Sequence, residues 1–293
     1  MIGVIGGANM DILGRSDKSL AQGDSNPGRI RFAHGGVGRN IAETLLRLGA
    51  AVCFLSAVGA DTLSAEILQR LEHLGGDVSR CIKKGEAPSV YMAIHDMDGE
   101  MRLGMNDMTL AEELTPAYLH QYKEDLAKWK LLVVDGNLPR ESYGYLEKIN
   151  PRIVFDPVSV AKAVRNGFPI FPYMKMNRME AEAYTGENEP ERQGEKLLAL
   201  GAEMAVITLG AEGALACDGN GAVRILAQRT EIENVTGAGD GFTAGFAYGL
   251  SQGWRMEQSC EMGVTCAAYN LASQAPVNEE LMLKDALIRM RRI

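Results

Sequence analysis

Short, unbroken apolar runs alternate along this chain with stretches in which apolar residues recur every three or four positions. The runs cover 2–5, 52–58, 131–135, 153–156 and 205–209. They are rich in Val, Ile and Leu and lack polar alternation, as strands buried on both faces do. Between them lie helical patterns at 38–48, 63–74, 116–128, 180–184, 191–200, 241–250 and 257–271. In the first of these, Ile41, Leu45 and Leu48 form the apolar stripe. Strand and helix in alternation predict an α/β fold, a three-layer α/β/α sandwich around a mostly parallel central sheet.

Two segments break the rhythm. Segment 15–31 is polar, carries Gly23, Pro27 and Gly28, and has no helical period. Segment 89–105 reads as two strands joined at Asp98-Gly99, a strong hairpin turn signal. Together they predict a small β-sheet lid on a single domain spanning 1–293; a surface insertion without a role is the competing reading. An uncovered lid edge would also allow two copies of the chain to pair as a homodimer.

Composition narrows the function. The chain has 293 residues and a formal net charge of −8, which argues against nucleic acid or an anionic membrane surface as partner. No apolar run is long enough to span a bilayer. The start, MIGVIGGANMD, has no basic leader and becomes polar too soon for a secretory signal. Five scattered cysteines without a CxxC read as reduced thiols, so the cytoplasm is the expected compartment. The four histidines lie far apart with no HxxxH, so zinc is not expected.

The strongest chemical signal is Asn234-Val235-Thr236-Gly237-Ala238-Gly239-Asp240-Gly241-Phe242, a glycine-rich turn running into a helix of small and apolar residues. Glycines at a helix N-terminus let backbone N–H groups approach an anion closely, and the helix dipole favours negative charge there. The geometry suits a phosphoryl group in transfer, with Gly237, Ala238 and Gly239 as its cradle. Asp240 is then out of place unless it accepts a proton from the attacking hydroxyl; the plainer reading makes it a first-turn acid that complements the dipole. Phe242 excludes GxGxxG, and the dipeptide Gly-Lys of a Walker A loop occurs nowhere.

TGAGD before a small-residue helix resembles the C-terminal signature of the ribokinase (PfkB) family of carbohydrate and nucleoside kinases. Asn9-Met10-Asp11 resembles that family's sugar-binding Asn-x-Asp, and Gly35-Gly36-Val37-Gly38-Arg39-Asn40-Ile41-Ala42 its GGxxxN-x-A signature. The matches run through the whole chain in the family's order. The resemblance implies a sugar or nucleoside held by Asn9, Asp11, Gly35, Gly36 and Asn40. An ionised Asp11 suits this, since a carboxylate accepts from two vicinal hydroxyls at once. From the residues alone, Asn9 and Asp11 read as a turn after the first strand.

Asn177-Arg178-Met179-Glu180 resembles the family's N-x-x-E motif, which implies ATP with Mg²⁺, Glu180 acting on the metal through water. The same spacing is a helix capping box, and both readings can hold together. Thr208-Leu209-Gly210-Ala211-Glu212-Gly213 resembles the nucleotide loop, with Thr208, Gly210 and Gly213 beside ribose and phosphates. Asn270 resembles a position facing adenine in relatives. A monovalent cation such as K⁺ near the cradle is common in the family, but position 234 is Asn where relatives usually carry Asp.

Asp24-Ser25-Asn26-Pro27-Gly28, Asn106-Asp107-Met108, Asp135-Gly136-Asn137-Leu138 and Asp156-Pro157-Val158-Ser159 with Lys162-Ala163 resemble the pseudouridine-kinase branch of the family. That branch implies phosphorylation of a nucleoside 5′-hydroxyl, with Asp240 as base. A family kinase for a free sugar or another nucleoside is the alternative; a non-catalytic nucleoside-binding regulator is a third reading, which the intact TGAGD opposes.

Overall fold

The computed structural model describes residues 1–290. Its centre is an eight-stranded sheet in the order Gly221–Ile225, Ala214–Asp218, Met204–Thr208, Tyr173–Asn177, Ile153–Asp156, Leu131–Asp135, Ile2–Ile5, Val52–Leu55. All neighbours are parallel except the pairings of 214–218 with 204–208 and with 221–225, which are antiparallel. The predicted α/β sandwich is therefore the observed one.

Strand alternation explains the three layers. Ile2, Val4, Val52, Phe54, Leu131, Val133 and Val154 point into one core with the helices Val37–Arg47, Thr62–His73, Ala238–Ser251 and Met256–Leu271. Their neighbours Ile5, Cys53, Leu55, Leu132, Val134, Ile153 and Phe155 point into the other core, with Arg140–Ile149 and Pro190–Ala199. Each strand thus buries both faces, the arrangement its unbroken apolar run encodes.

The segments expected to form the lid, 15–31 and 89–105, contribute to a second, small sheet that extends beyond them. It is a four-stranded sheet in the order Gly28–Gly35, Asn9–Ser16, Val90–His95, Met101–Asp107. Asn9 and Asp11 are therefore strand residues, paired with Gly35 and Ala33, and not a turn. The irregular look of 15–31 comes from its being a strand end, a polar loop and the start of the next strand. The hairpin turn is where Asp98-Gly99 placed it, with Gly99 at φ +87°.

Other boundaries shift for physical reasons. Segment 52–58 is not one strand: it breaks at Ser56, and Ala57–Val58 pairs instead with Ile82–Lys83. The helix expected over 116–128 divides into Pro116–His120 and Lys123–Lys128. The strands Tyr173–Asn177, Ala214–Asp218 and Gly221–Ile225 and the helices Arg140–Ile149, Val160–Arg165 and Leu283–Met290 were not legible as such.

The parallel register sets up the site. Asp135 pairs with Asp156, and Asn177 with Thr208, so polar residues at the carboxyl ends of four adjacent strands share one edge of the sheet. Ligands of open α/β sheets bind along that edge.

Candidate active site

A cavity of about 720 Å³ opens along this edge. Its walls include Asn177, Glu180, Thr208, Gly210, Gly213, Ala238, Gly239 and Asp240, which come from distant parts of the chain. Val37, Val158, Phe242, Val264, Ala267, Ala268 and Leu271 add an apolar side.

The cradle lies at the start of the Ala238–Ser251 helix. Gly237 caps it at φ +82°, and a Cβ there would lie 2.0 Å from the Pro276 carbonyl oxygen, so no other residue fits. The Gly237 carbonyl is turned away from the cavity, accepting from Gly241 N at 2.9 Å and Asn270 Nδ2 at 2.9 Å. The N–H groups of Ala238, Gly239 and Asp240 find no acceptor among the described residues, as the first turn of a helix dictates.

Asn270 needs correction. It is fully buried, with Nδ2 on Gly237 and Oδ1 accepting from Asn278 N at 3.0 Å. Such a side chain braces the cradle from behind and does not face a base.

Asp240 is half-buried, at the cavity wall. Asn40 Nδ2 donates to its Oδ2 at 2.6 Å. Burial and the neighbouring Asp156 carboxylate push its pKa up to about 7, against the opposing pull of Asn40, Lys175 and Arg39. A carboxyl poised there is well matched to proton transfer near neutral pH.

Two residues beneath the cradle were missed as site members. Lys175, buried in the Tyr173–Asn177 strand, donates to Asp156 Oδ2 at 2.9 Å. Asp156 also accepts from Thr243 Oγ1 at 2.8 Å and Val158 N at 3.0 Å. Burial alone would lower the Lys175 pKa, but Asp156, Glu180 and Asp240 hold it above the usual value. A Cβ on Gly239 would stand 3.2 Å from Lys175 Nζ, so the ammonium lies directly under the cradle. The signal that could have found it is a lysine inside an otherwise apolar strand run.

Asn177 and Glu180 form the capping box: Asn177 N donates to Glu180 Oε2 at 2.8 Å and Glu180 N to Asn177 Oδ1 at 2.9 Å. Glu180 Oε1 accepts nothing among the described residues. Burial and Asp156 raise the Glu180 pKa, opposed by Lys175 and the Asn177 N–H. A hard cation favours oxygen ligands of this kind, so the residues present fit magnesium. Gly210 and Gly213 sit at φ +62° and +95°, and a Cβ on Gly213 would lie 2.0 Å from the Ile225 carbonyl oxygen. The Asn234 side chain is spent on backbone groups, donating to the Gln274 carbonyl at 3.1 Å and accepting from Thr236 N at 2.9 Å.

The second cluster is at the base of the lid. Asn9 Nδ2 donates to Asp11 Oδ1 at 2.6 Å. Burial raises the Asp11 pKa, offset by Asn9 and Arg39. Gly35 is required opposite, since a Cβ there would fall 2.3 Å from Asp11 Oδ1. Gly36, at φ +96°, caps the Val37–Arg47 helix and closes against the Gly7 carbonyl. Asn40, one turn on, leaves Oδ1 buried and without a donor among the described residues. None of these five residues lines the larger cavity; Asn40 joins the two clusters through its bond to Asp240.

The fold and the site residues brought together at this edge match those of a known class of enzyme, the phosphotransferases that act on an alcohol. The chain belongs to the pfkB family of carbohydrate kinases, whose model matches residues 1–280. The family uses ATP and Mg²⁺. The chain is 34% identical to pseudouridine kinase of Escherichia coli K12, over 97% of this chain and 94% of the relative. It is 31% identical to an uncharacterized sugar kinase of the same bacterium, over 97% and 82%. A crystal structure of a putative sugar kinase from Clostridium perfringens superposes with a TM-score of 0.85 at 27% identity, covering 100% of this chain and 95% of the other.

Proposed function

We propose that the protein transfers the γ-phosphoryl group of ATP to the 5′-hydroxyl of pseudouridine, giving pseudouridine 5′-phosphate and ADP. The observation that carries the reading is the Asn40–Asp240 hydrogen bond, which ties the hydroxyl-binding cluster to the phosphate cradle. The likeness to pseudouridine kinase supports the choice of nucleoside.

In this mechanism Asp11, oriented by Asn9, accepts from the ribose 2′- and 3′-hydroxyls, and Gly35 and Gly36 let the sugar approach the backbone. Asn40 Oδ1, otherwise unpartnered, takes a donor from the sugar. Asp240 removes the 5′-hydroxyl proton as that oxygen bonds to the γ-phosphorus and the bond to the β-phosphate oxygen breaks. The free N–H groups of Ala238, Gly239 and Asp240 stabilise the transferring group, and Lys175 adds positive charge below it. Magnesium, when bound, neutralises phosphate charge; Asn177 and Glu180 are the residues that would hold it. Thr208, Gly210 and Gly213 leave room for the nucleotide. The lid excludes water, which protects ATP from hydrolysis.

A coupled ATP assay with pseudouridine, uridine, adenosine, ribose and fructose tests the reading. Pseudouridine should give the highest kcat/KM. A clear preference for a free sugar or another nucleoside would replace the substrate and leave the chemistry. Nucleoside binding without any turnover would make the protein a regulator.

The lid also supports a homodimer. Strand alternation places Asp11 on one face and Ile30, Phe32, Met92, Leu103 and Met105 on the other, where all five are exposed. Both outer strands of that sheet lack a neighbour on one side. A second lid packed on this face would cover apolar surface and edges together. Light scattering should report a dimer that Phe32→Glu with Met105→Glu converts to monomer. All five cysteines are free, in keeping with a reducing cytoplasm, and no helix among the described residues is long and apolar enough to cross a membrane.

A further inference from the structure

We propose that Arg39 is a positioning residue for the acceptor: its guanidinium anchors the small four-stranded sheet at the point where that sheet carries the Asn9–Asp11–Gly35 cluster. This rests on the reading of that cluster as the site of the acceptor alcohol. Arg39 stands in the first turn of the Val37–Arg47 helix, directly before Asn40, and its side chain is 3% exposed. Nε donates to the Gly35 carbonyl at 3.3 Å, Nη2 to the His34 carbonyl and Nη1 to Glu43 Oε2 at 2.7 Å. Its backbone N–H, left without an intrahelical acceptor by its place in the first turn, donates to the Gly7 carbonyl at 3.1 Å.

These partners mark two crossings between the small sheet and the central domain. His34 and Gly35 end the Gly28–Gly35 strand, and Gly7 stands between the Ile2–Ile5 strand and the Asn9–Ser16 strand. The crossings in turn set the acceptor cluster. Gly35 pairs with Asn9, and a Cβ on Gly35 would fall 2.3 Å from Asp11 Oδ1. Packing this close transmits a small shift at either crossing to the Asp11 carboxylate.

The chemistry of the side chain suits the task. A guanidinium presents five N–H donors in a rigid planar fork, so it can hold two carbonyls and a carboxylate at once. A buried cation needs a matched charge, and Glu43 supplies it. Arg47 and Arg70 also donate to Glu43, so that carboxylate keeps partners when Arg39 is replaced.

Arg39 also acts through its field. Burial raises the pKa of Asp11 and of Asp240, and Arg39 is among the groups that oppose the rise in both. It donates to neither carboxylate among the described residues, so this influence is charge alone. Asp240 is faced as well by Asp156 and Lys175, and Arg39 by Glu43 and Arg70. The His34 ring is pushed below its usual value by burial, Arg39 and Arg70. It lies on the opposite face of the sheet from Asp11, since His34 pairs with Met10 while Asp11 pairs with Ala33. Loss of Arg39 should therefore make both acids harder to ionise.

The test compares the wild type with Arg39→Met, Arg39→Lys and Arg47→Met, using whichever of pseudouridine, uridine, adenosine, ribose and fructose the wild type turns over fastest. The readouts are the acceptor KM, the affinity for ATP, the pH profile of kcat/KM and thermal melting. Arg39→Met should raise the acceptor KM about 10–100-fold, leave ATP affinity within about twofold and move the acidic limb to higher pH. Arg39→Lys keeps the charge without the fork, so its limb should stay near that of the wild type while the acceptor KM rises by a smaller factor. Arg47 donates to Glu43 and to the Glu279 carbonyl and touches neither crossing. Arg47→Met should therefore melt earlier and keep the wild-type KM and limb. Should Arg39→Met fail to fold, the acceptor KM of Arg39→Lys against that of Arg47→Met carries the comparison, and equal values would overturn the inference. Equal kinetic losses in Arg39→Met and Arg47→Met would make Arg39 an ordinary member of the buried ion cluster and overturn it too. An unchanged acceptor KM with an unmoved limb in Arg39→Met would overturn it while leaving the proposed reaction standing. A wild type that turns over none of the five acceptors would overturn the proposed function and this inference with it.

Discussion

Asn40 and Asp240, 200 residues apart in sequence, meet at 2.6 Å where the lid-side helix touches the cradle helix. Asn40 is a donor aimed at Asp240, which in the proposed mechanism must be ionised before it can take a proton. Removing it should make Asp240 harder to ionise. Asn40→Ala is therefore expected to lower kcat/KM and to move the acidic limb of its pH profile upward; a limb that stays in place would separate Asn40 from the protonation of Asp240.

The wild-type pH profile follows from the same group. With Asp240 held at about 7, its base form is scarce in acid and dominant in alkali. The kcat/KM profile, which reports the free enzyme, should rise about tenfold per pH unit below that point and level off above it. Lys175 favours the ionised acid, so Lys175→Met should displace the limb to higher pH. A profile flat between pH 5 and 8 would contradict this assignment.

Gly35→Ala tests the sugar cluster without touching a polar group. The new methyl would overlap the Asp11 carboxylate, which is 2.3–2.5 Å from the Cβ position. Overpacking of this kind costs about 1–3 kcal/mol. It is expected to appear as a raised KM for the nucleoside, with the KM for ATP nearly unchanged. Equal rises in both would point to general distortion.

Glu43 supplies a prediction about stability. It is fully buried and accepts from Arg39 at 2.7 Å, Arg47 at 2.8 Å and Arg70 at 2.8 Å. Burial would raise its pKa, but Arg70, Arg39 and Arg47 overcome it and hold the carboxyl down to about 2. The stabilisation is present above the ordinary value of 4.5 and disappears as pH falls from there toward about 2. Glu43→Gln should destabilise the fold by about 3–5 kcal/mol at neutral pH, read by urea denaturation, and should flatten that acid dependence.

The parts of the fold legible in the sequence were those whose burial is uniform. Leu131–Asp135 and Ile153–Asp156 are buried on both faces and read as apolar runs. Tyr173–Asn177 belongs to the same sheet, but its centre is Lys175, whose charge is matched by Asp156 through a contact made only in three dimensions. The Asn9–Ser16 strand was hidden because it belongs to a second sheet with one polar face. Glycines of the cradle and of the Gly35-Gly36 pair were legible because their spacing is local. Asn270 was misread because resemblance carries a residue type to a position without its hydrogen-bond partners. Asn40 was placed with the sugar, while its bond to Asp240 depends on two helices meeting.

The central claim is that Asp240 takes the proton of the acceptor hydroxyl. The most direct measurement is the turnover of Asp240→Asn with saturating ATP and nucleoside, together with its affinity for ATP. The account predicts a folded protein that binds ATP as the wild type does and loses about 10²–10⁴-fold in kcat. Turnover within a few-fold of the wild type would contradict it.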